Sequence, residues 1–198
     1  ILERSLGMLQ DNEFVTKLNT MHDYFPILNG NKINLITGEV TKRTKEDLFD
    51  IECPVELTES TERAEKFFKE IMPIDEEREY LRTILGYMLS GNMDARCFFI
   101  LYGTGANGKS VVMKLMDAML KKLYHQTSKG IFMKGSQEKV DGPSPDKIAL
   151  IGVRCGFYSE GETADEIDIN ASFLKMDSGK DKINARALFK APLTFYPV

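Results

Sequence analysis

Apolar residues recur every three to four positions from residue 1 to about 25, through Leu2, Leu6, Leu9, Phe14, Val15 and Leu18. That spacing predicts an amphipathic helix. The pattern changes between Pro26 and Pro54. Asn29-Gly30 and Thr37-Gly38 are turn signals there, and the short apolar segments at 33–36 and at Val40 predict a small hairpin near 30–42. Helical spacing returns at 58–71, where Ala64, Phe67, Phe68 and Ile71 share a face behind a Thr58 cap. Pro73 interrupts it. Residues 75–90 then predict a second helix through Leu81, Ile84, Leu85 and Met88, with Asp75, Glu76 and Glu77 in the first turn, where the dipole favours acids. Gly91-Asn92 ends it. Residues 1–95 thus read as a mostly helical region, with a new unit beginning near 96.

That unit opens on an unbroken apolar run, Cys97-Phe98-Phe99-Ile100-Leu101-Tyr102, which predicts a buried strand. Val111, Val112, Leu115, Met116, Met119 and Leu120 further on mark one face of a helix. Between the two stands Gly103-Thr104-Gly105-Ala106-Asn107-Gly108-Lys109-Ser110, a complete G-x-x-x-x-G-K-[ST] loop. Strand, glycine-rich loop and helix are in the order that phosphate chemistry requires. The glycines let backbone N–H groups converge on phosphate oxygens, and the helix adds the positive end of its dipole. Lys109 is expected to reach the β- and γ-phosphates of ATP and Ser110 to hold Mg²⁺. The expected fold is α/β, a P-loop core sheet flanked by helices.

Hydrolysis needs a second acidic group at a strand end. The segment Val153-Arg154-Cys155-Gly156-Phe157-Tyr158-Ser159-Glu160 offers one, with Glu160 the first acid and Glu162 two residues on. Asp165, Glu166 and Asp168 read as a solvated acidic turn. The polar stretch 127–146 reads as a long connection whose Lys129, Lys134 and Lys139 are loop lysines. Downstream, basic and apolar residues interleave, and Lys175, Lys180, Lys182, Arg186 and Lys190 lie close together with Phe189 among them. Such a hairpin can grip a nucleic-acid backbone while an aromatic ring stacks on bases, and on composition alone it is equally an ordinary basic surface.

Bulk properties narrow the picture. With 198 residues, 42% of them hydrophobic, the chain can bury a core. A net charge of -4 argues against coating nucleic acid by bulk charge, so any grip on DNA must be local. Cys53, Cys97 and Cys155 lack metal spacing and read as reduced thiols in an intracellular, reducing compartment. His22 and His125 are isolated. No apolar run is long enough to span a membrane, and no signal peptide is visible. The first residue is Ile1, as expected of a piece of a longer protein.

Taken in order, GTGANGKS, IGVRCGFYSEGE and FLKMDSGKDKINARALFKAPLTFYP resemble the superfamily 3 helicases of DNA viruses, phages and plasmids, in particular the poxvirus and phage primase-helicase branch. The phrase from Asn29 to Glu39, followed by Thr44 to Phe49, resembles the segment preceding the motor in that branch. The resemblance covers roughly 26–198. It implies an AAA+-like ATPase that assembles as a homo-hexameric ring, translocates on single-stranded DNA and unwinds forks. It makes 1–95 part of a collar region and 96–198 the start of the motor domain. Lys109 and Ser110 match the first motif and Glu160 the acidic second. The stretch from Lys175 to about Lys190, with Lys182, Arg186, Phe189 and Lys190 as DNA contacts, matches the third. In relatives a primase domain often lies N-terminal, while the sensor Asn and the arginine finger would fall beyond Val198. Two other readings stay open: another AAA+ ATPase, such as a replication initiator or loader, and a nucleotide-dependent assembly module without useful turnover.

Replacing Glu160 by Gln is expected to leave ATP bound but stall its hydrolysis in the parent protein, because the amide keeps the shape and loses the charge. A stall from Glu162→Gln with normal turnover in Glu160→Gln, measured by phosphate release, would move the role to Glu162.

Overall fold

The computed structural model describes residues 12–103, 105, 107–127, 142–158 and 170–197. Thr104, Ala106 and Glu160 lie outside them, as do Glu162, the acids of 165–168, residues 1–11 and the lysines at 129, 134 and 139.

The described chain begins with a short helix, α1 (Asn12–Lys17), and then a three-stranded antiparallel sheet. Its strands are β1 (Tyr24–Ile27), β2 (Asn31–Asn34) and β3 (Val40–Lys42). The expected hairpin is the β2–β3 pair, in register Ile33↔Val40. The helix expected to reach residue 25 gives way earlier, and Phe25 and Ile27 are instead core residues of β1. The β1–β2 turn needs positive φ at Asn29 and Gly30, 64° and 65°, which is the type I′ geometry this dipeptide favours. Pro26 cannot donate to the ladder, yet its carbonyl accepts from Cys53 N–H at 3.2 Å on the outer edge.

Two helices follow, α2 (Glu62–Ile71) and α3 (Asp75–Ser90), bounded much as the sequence predicts. The cap position of α2 is Thr61, not Thr58. Buried Arg78 braces the elbow between them by donating to the carbonyl of Met72 at 3.0 Å and pairing with Asp75. Arg82 pairs with Glu65 across the two helices.

The run 97–102 departs from expectation. No strand pairs with it among the described residues. It is extended only in its side-chain alternation: Leu101 packs on the main core and Phe99 meets Tyr87 edge-on at 6.2 Å, while Phe98, Ile100 and Tyr102 face outward. An apolar run becomes a strand only when a neighbour takes its amides and carbonyls.

The helix α4 (Lys109–Leu120) is as expected, although its face turns slightly. Val112, Met113, Met116 and Leu120 are buried, whereas Val111 and Leu115 are exposed. A strand with no apolar signal, β4 (Tyr124–Gln126), follows and pairs in parallel with β5 (Cys155–Phe157), the strand leading toward Glu160. The neighbour of β5 is therefore β4 and not 97–102. A one-turn helix, α5 (Pro145–Ile148), precedes β5. After it come α6 (Ala171–Ser178), capped by the Asn170 side chain, and a hairpin of β6 (Ile183–Arg186) and β7 (Pro192–Phe195).

Two cores organise these elements. The larger joins Phe25, Ile27, Ile51 and Cys53 to Val112, Met116, Leu120, Leu123 and Cys155, so it draws on both sides of residue 95. The smaller sits under the hairpin and contains Leu150, Phe173, Ile183, Ala185 and Phe195. All three cysteines are free, with Cys53 and Cys155 buried and Cys97 exposed. No described helix is long and apolar enough to cross a membrane.

Arg154 ties the larger core to its surroundings. Its guanidinium donates to the carbonyls of Leu89 at 2.8 Å and Met21 at 2.7 Å. Burial pushes its pKa down to about 10, which leaves it charged at neutral pH. Arg154→Ala orphans both carbonyls and opens a void, and is expected to lower stability by about 3 kcal/mol. An unfolding free energy from urea titration that stays within about 1 kcal/mol of wild type would show that the contacts are dispensable.

Candidate functional site

The glycine-rich loop is shaped by its own residues and by α2. Gly105 and Gly108 have φ of 100° and 83°, the left-handed region that favours glycine. A Cβ on Gly108 would stand 2.6 Å from Cγ2 of Ile71, so the last residue of α2 is seated directly on the loop. A Cβ on Gly103 would overlap the Asn107 side-chain amide at 1.9 Å. Gly108 then starts α4 by accepting from the amides of Val111 and Val112, both at 3.0 Å. The amides of Lys109 and Ser110 have no acceptor among the described residues, and they stand at the positive end of the helix dipole.

Lys109 completes this geometry. Its ammonium donates to Gly103 O at 3.0 Å and to Asn107 Oδ1 at 2.7 Å. Both acceptors are neutral, and no carboxylate pairs with Lys109 among the described residues. A cation held by neutral oxygens beside two unused helix amides has the donor set that a phosphate oxygen needs. Ser110, exposed in the first turn, presents a hydroxyl of the kind that holds a nucleotide-bound Mg²⁺. No group of three or more His, Cys, Asp or Glu suited to a metal ion of its own occurs among the described residues.

The basic segment forms the expected hairpin, and the structure assigns its residues to different heights. Ile183, Ala185 and Phe195 face inward, and Asn184, Arg186 and Thr194 face outward. Lys182 stands at the foot, 5.6 Å from the Tyr196 ring centroid. Arg186 ends β6 and donates from Nε to Lys190 O at 3.1 Å across the tip. Phe189 is at the apex, 97% exposed, with a φ of 59°. Lys180 pairs with Asp94, fastening the foot of the hairpin to the segment after α3.

Some contributors carry no sequence signal. Ser144 holds the tip end of β6 in place, since its amide donates to Arg186 O at 2.8 Å and its hydroxyl accepts from Arg186 N–H at 3.0 Å. Ile71 looks like any residue on an amphipathic face. Asp177, in the last turn of α6, is pushed up to about 6 by burial and pairs with no cation among the described residues.

The chain is 37% identical over 131 residues, 66% of its length, to "Putative helicase L207/L206" of Acanthamoeba polyphaga mimivirus. It is 29% identical over 160 residues, 78% of its length, to "Putative helicase 022R" of Frog virus 3 (isolate Goorha). Both are viral proteins named as putative helicases. The matched stretches amount to 13% and 16% of those two proteins, so the chain spans a small part of either. No family model matches the chain.

Asp177 makes the unit under the hairpin sensitive to pH. Its folded pKa lies above the ordinary 3.8, so the folded state binds the proton more tightly than the unfolded state does. Stability from this group is full below about pH 4 and is lost as pH rises through about 6. Asp177→Asn is expected to gain roughly 1–2 kcal/mol on wild type between pH 4 and pH 7. Urea unfolding at both pH values checks this, and a constant difference would refute it.

Proposed function

We infer that this chain is the nucleotide-binding part of an ATP-driven DNA helicase. The observation that carries the reading is the loop 103–110 opening α4, with Lys109 held by neutral oxygens next to amides that have no acceptor among the described residues. Lys109 and the loop amides bind the triphosphate, and Ser110 holds its Mg²⁺. When bound, Mg²⁺ supplies charge neutralisation at the β- and γ-phosphates. Glu160, beyond β5, orients the attacking water. The resemblance of the three motifs to superfamily 3 and the viral relatives support a replicative motor over a loader or an assembly module.

The hairpin is the DNA-contacting element of this reading. Phe189 stacks on bases, and Lys182, Arg186 and Lys190 meet phosphates of single-stranded or forked DNA. In a homo-hexameric ring six such hairpins line one channel, where modest individual contacts add through multivalency. A primase domain in the same parent chain fits the short span of the relatives that is matched.

Two titrations test this. Lys109→Ala is expected to weaken MgATP binding at least about thirtyfold by calorimetry while leaving the thermal midpoint unchanged. The triple alanine variant of Lys182, Arg186 and Lys190 is expected to weaken single-stranded DNA binding and to lower the salt slope by about 2 in fluorescence anisotropy. Wild-type ATP affinity in the first variant would end the nucleotide reading. An unchanged slope in the second would make the hairpin ordinary surface.

A further inference from the structure

Within the loop, three groups satisfy one another. The Lys109 ammonium, which can only donate, spans the carbonyl of Gly103 and Oδ1 of Asn107. The other end of the same amide, Nδ2, lies over the bare Cα of Gly103, in the volume a side chain there would fill. Asn107 is therefore folded back across the loop, on top of Gly103 and against the lysine. Its backbone is not in the left-handed region, so nothing in its own conformation demands asparagine.

An amide oxygen is an acceptor, and so is every phosphate oxygen. The two cannot share the Lys109 ammonium from the same side without repelling one another. Both contacts are charge-assisted, but a phosphate oxygen adds the attraction of a full opposite charge that a neutral amide lacks, so phosphate displaces the amide. We propose that Asn107 is a positioning residue that holds Lys109 as a stand-in for phosphate in the empty loop and must swing away before a triphosphate can seat. This deepens the nucleotide reading above and rests on it. The apparent affinity is reduced by the fraction of molecules in which Asn107 is engaged.

The test uses the chain with two substitutions and two readouts. The first readout is the acylation rate of the Lys109 amine in the free protein, by mass spectrometry, with exposed Lys114 as the internal reference. The second is MgATP affinity by calorimetry. Asn107→Ala is expected to raise Lys109 reactivity and tighten MgATP roughly three- to tenfold. Asn107→Asp is expected to lower Lys109 reactivity and weaken MgATP at least about tenfold, because a carboxylate pairs with the ammonium and repels phosphate. Unchanged Lys109 reactivity in Asn107→Ala would overturn the proposal. So would raised reactivity with unchanged or weakened affinity, which would make Asn107 at best a phosphate contact. If wild type and Asn107→Ala both fail to bind MgATP, the nucleotide reading itself falls and takes this proposal with it.

Discussion

A buried guanidinium that pairs with no carboxylate among the described residues ties the parts of the fold together. Arg154 enters β5 from one end, and its backbone N–H bonds to Leu123 O at 2.8 Å to begin the pairing with β4. Its side chain then reaches the last turn of α3 and the loop after α1, three stretches far apart in the chain. At the C-terminal end of α3 a cation meets the negative end of the dipole and carbonyls that the helix cannot satisfy itself. The Phe49 ring lies 5.9 Å from the guanidinium carbon. Gly91, which closes α3 at a φ of 64°, leaves room for the arginine: a Cβ there would stand 2.7 Å from Arg154 Cγ. Arg154 thus adds, to the core packing of Cys155, a direct tie between β5 and the N-terminal segments.

A second contact ties the α2–α3 pair to the glycine-rich loop. Ile71 ends α2 on Gly108, and the elbow behind it is braced by Arg78. The glycine-rich loop and β5 are each anchored to the α2–α3 pair, one at the end of α2 and one at the end of α3. In the proposed motor this pair is the shared reference for both motifs.

How much of this could be read from the sequence follows from the range of the interactions involved. The end of α2 and both ends of α3 are legible because periodicity, Pro73 and Gly91 are local signals, whereas α2 starts four residues later than its apolar spacing predicts. The loop and the start of α4 are legible because the left-handed backbone at Gly105 and Gly108 restricts residue type at fixed spacing. The basic hairpin is legible from its alternation of buried and outward positions, but the heights of Lys182, Arg186 and Lys190 depend on strand register. The strand β4 has no apolar pattern and is defined only by β5 alongside it, so it leaves no local mark. Residues 97–102 show the converse: a clear apolar pattern with which no described strand pairs. Arg154 and Ile71 act across long stretches of chain, and nothing near either residue announces its partner.

The seating of Ile71 on Gly108 has a consequence for how the gene can change. Each residue inserted into or deleted from α2 turns its end by about 100° about the helix axis. A single such event carries Ile71 off the glycine and leaves the loop without its seat. Point substitutions on the exposed side of α2 alter only the surface. A local glycine-rich motif thereby fixes the length of a helix dozens of residues upstream, and drift there is confined to exchanging side chains.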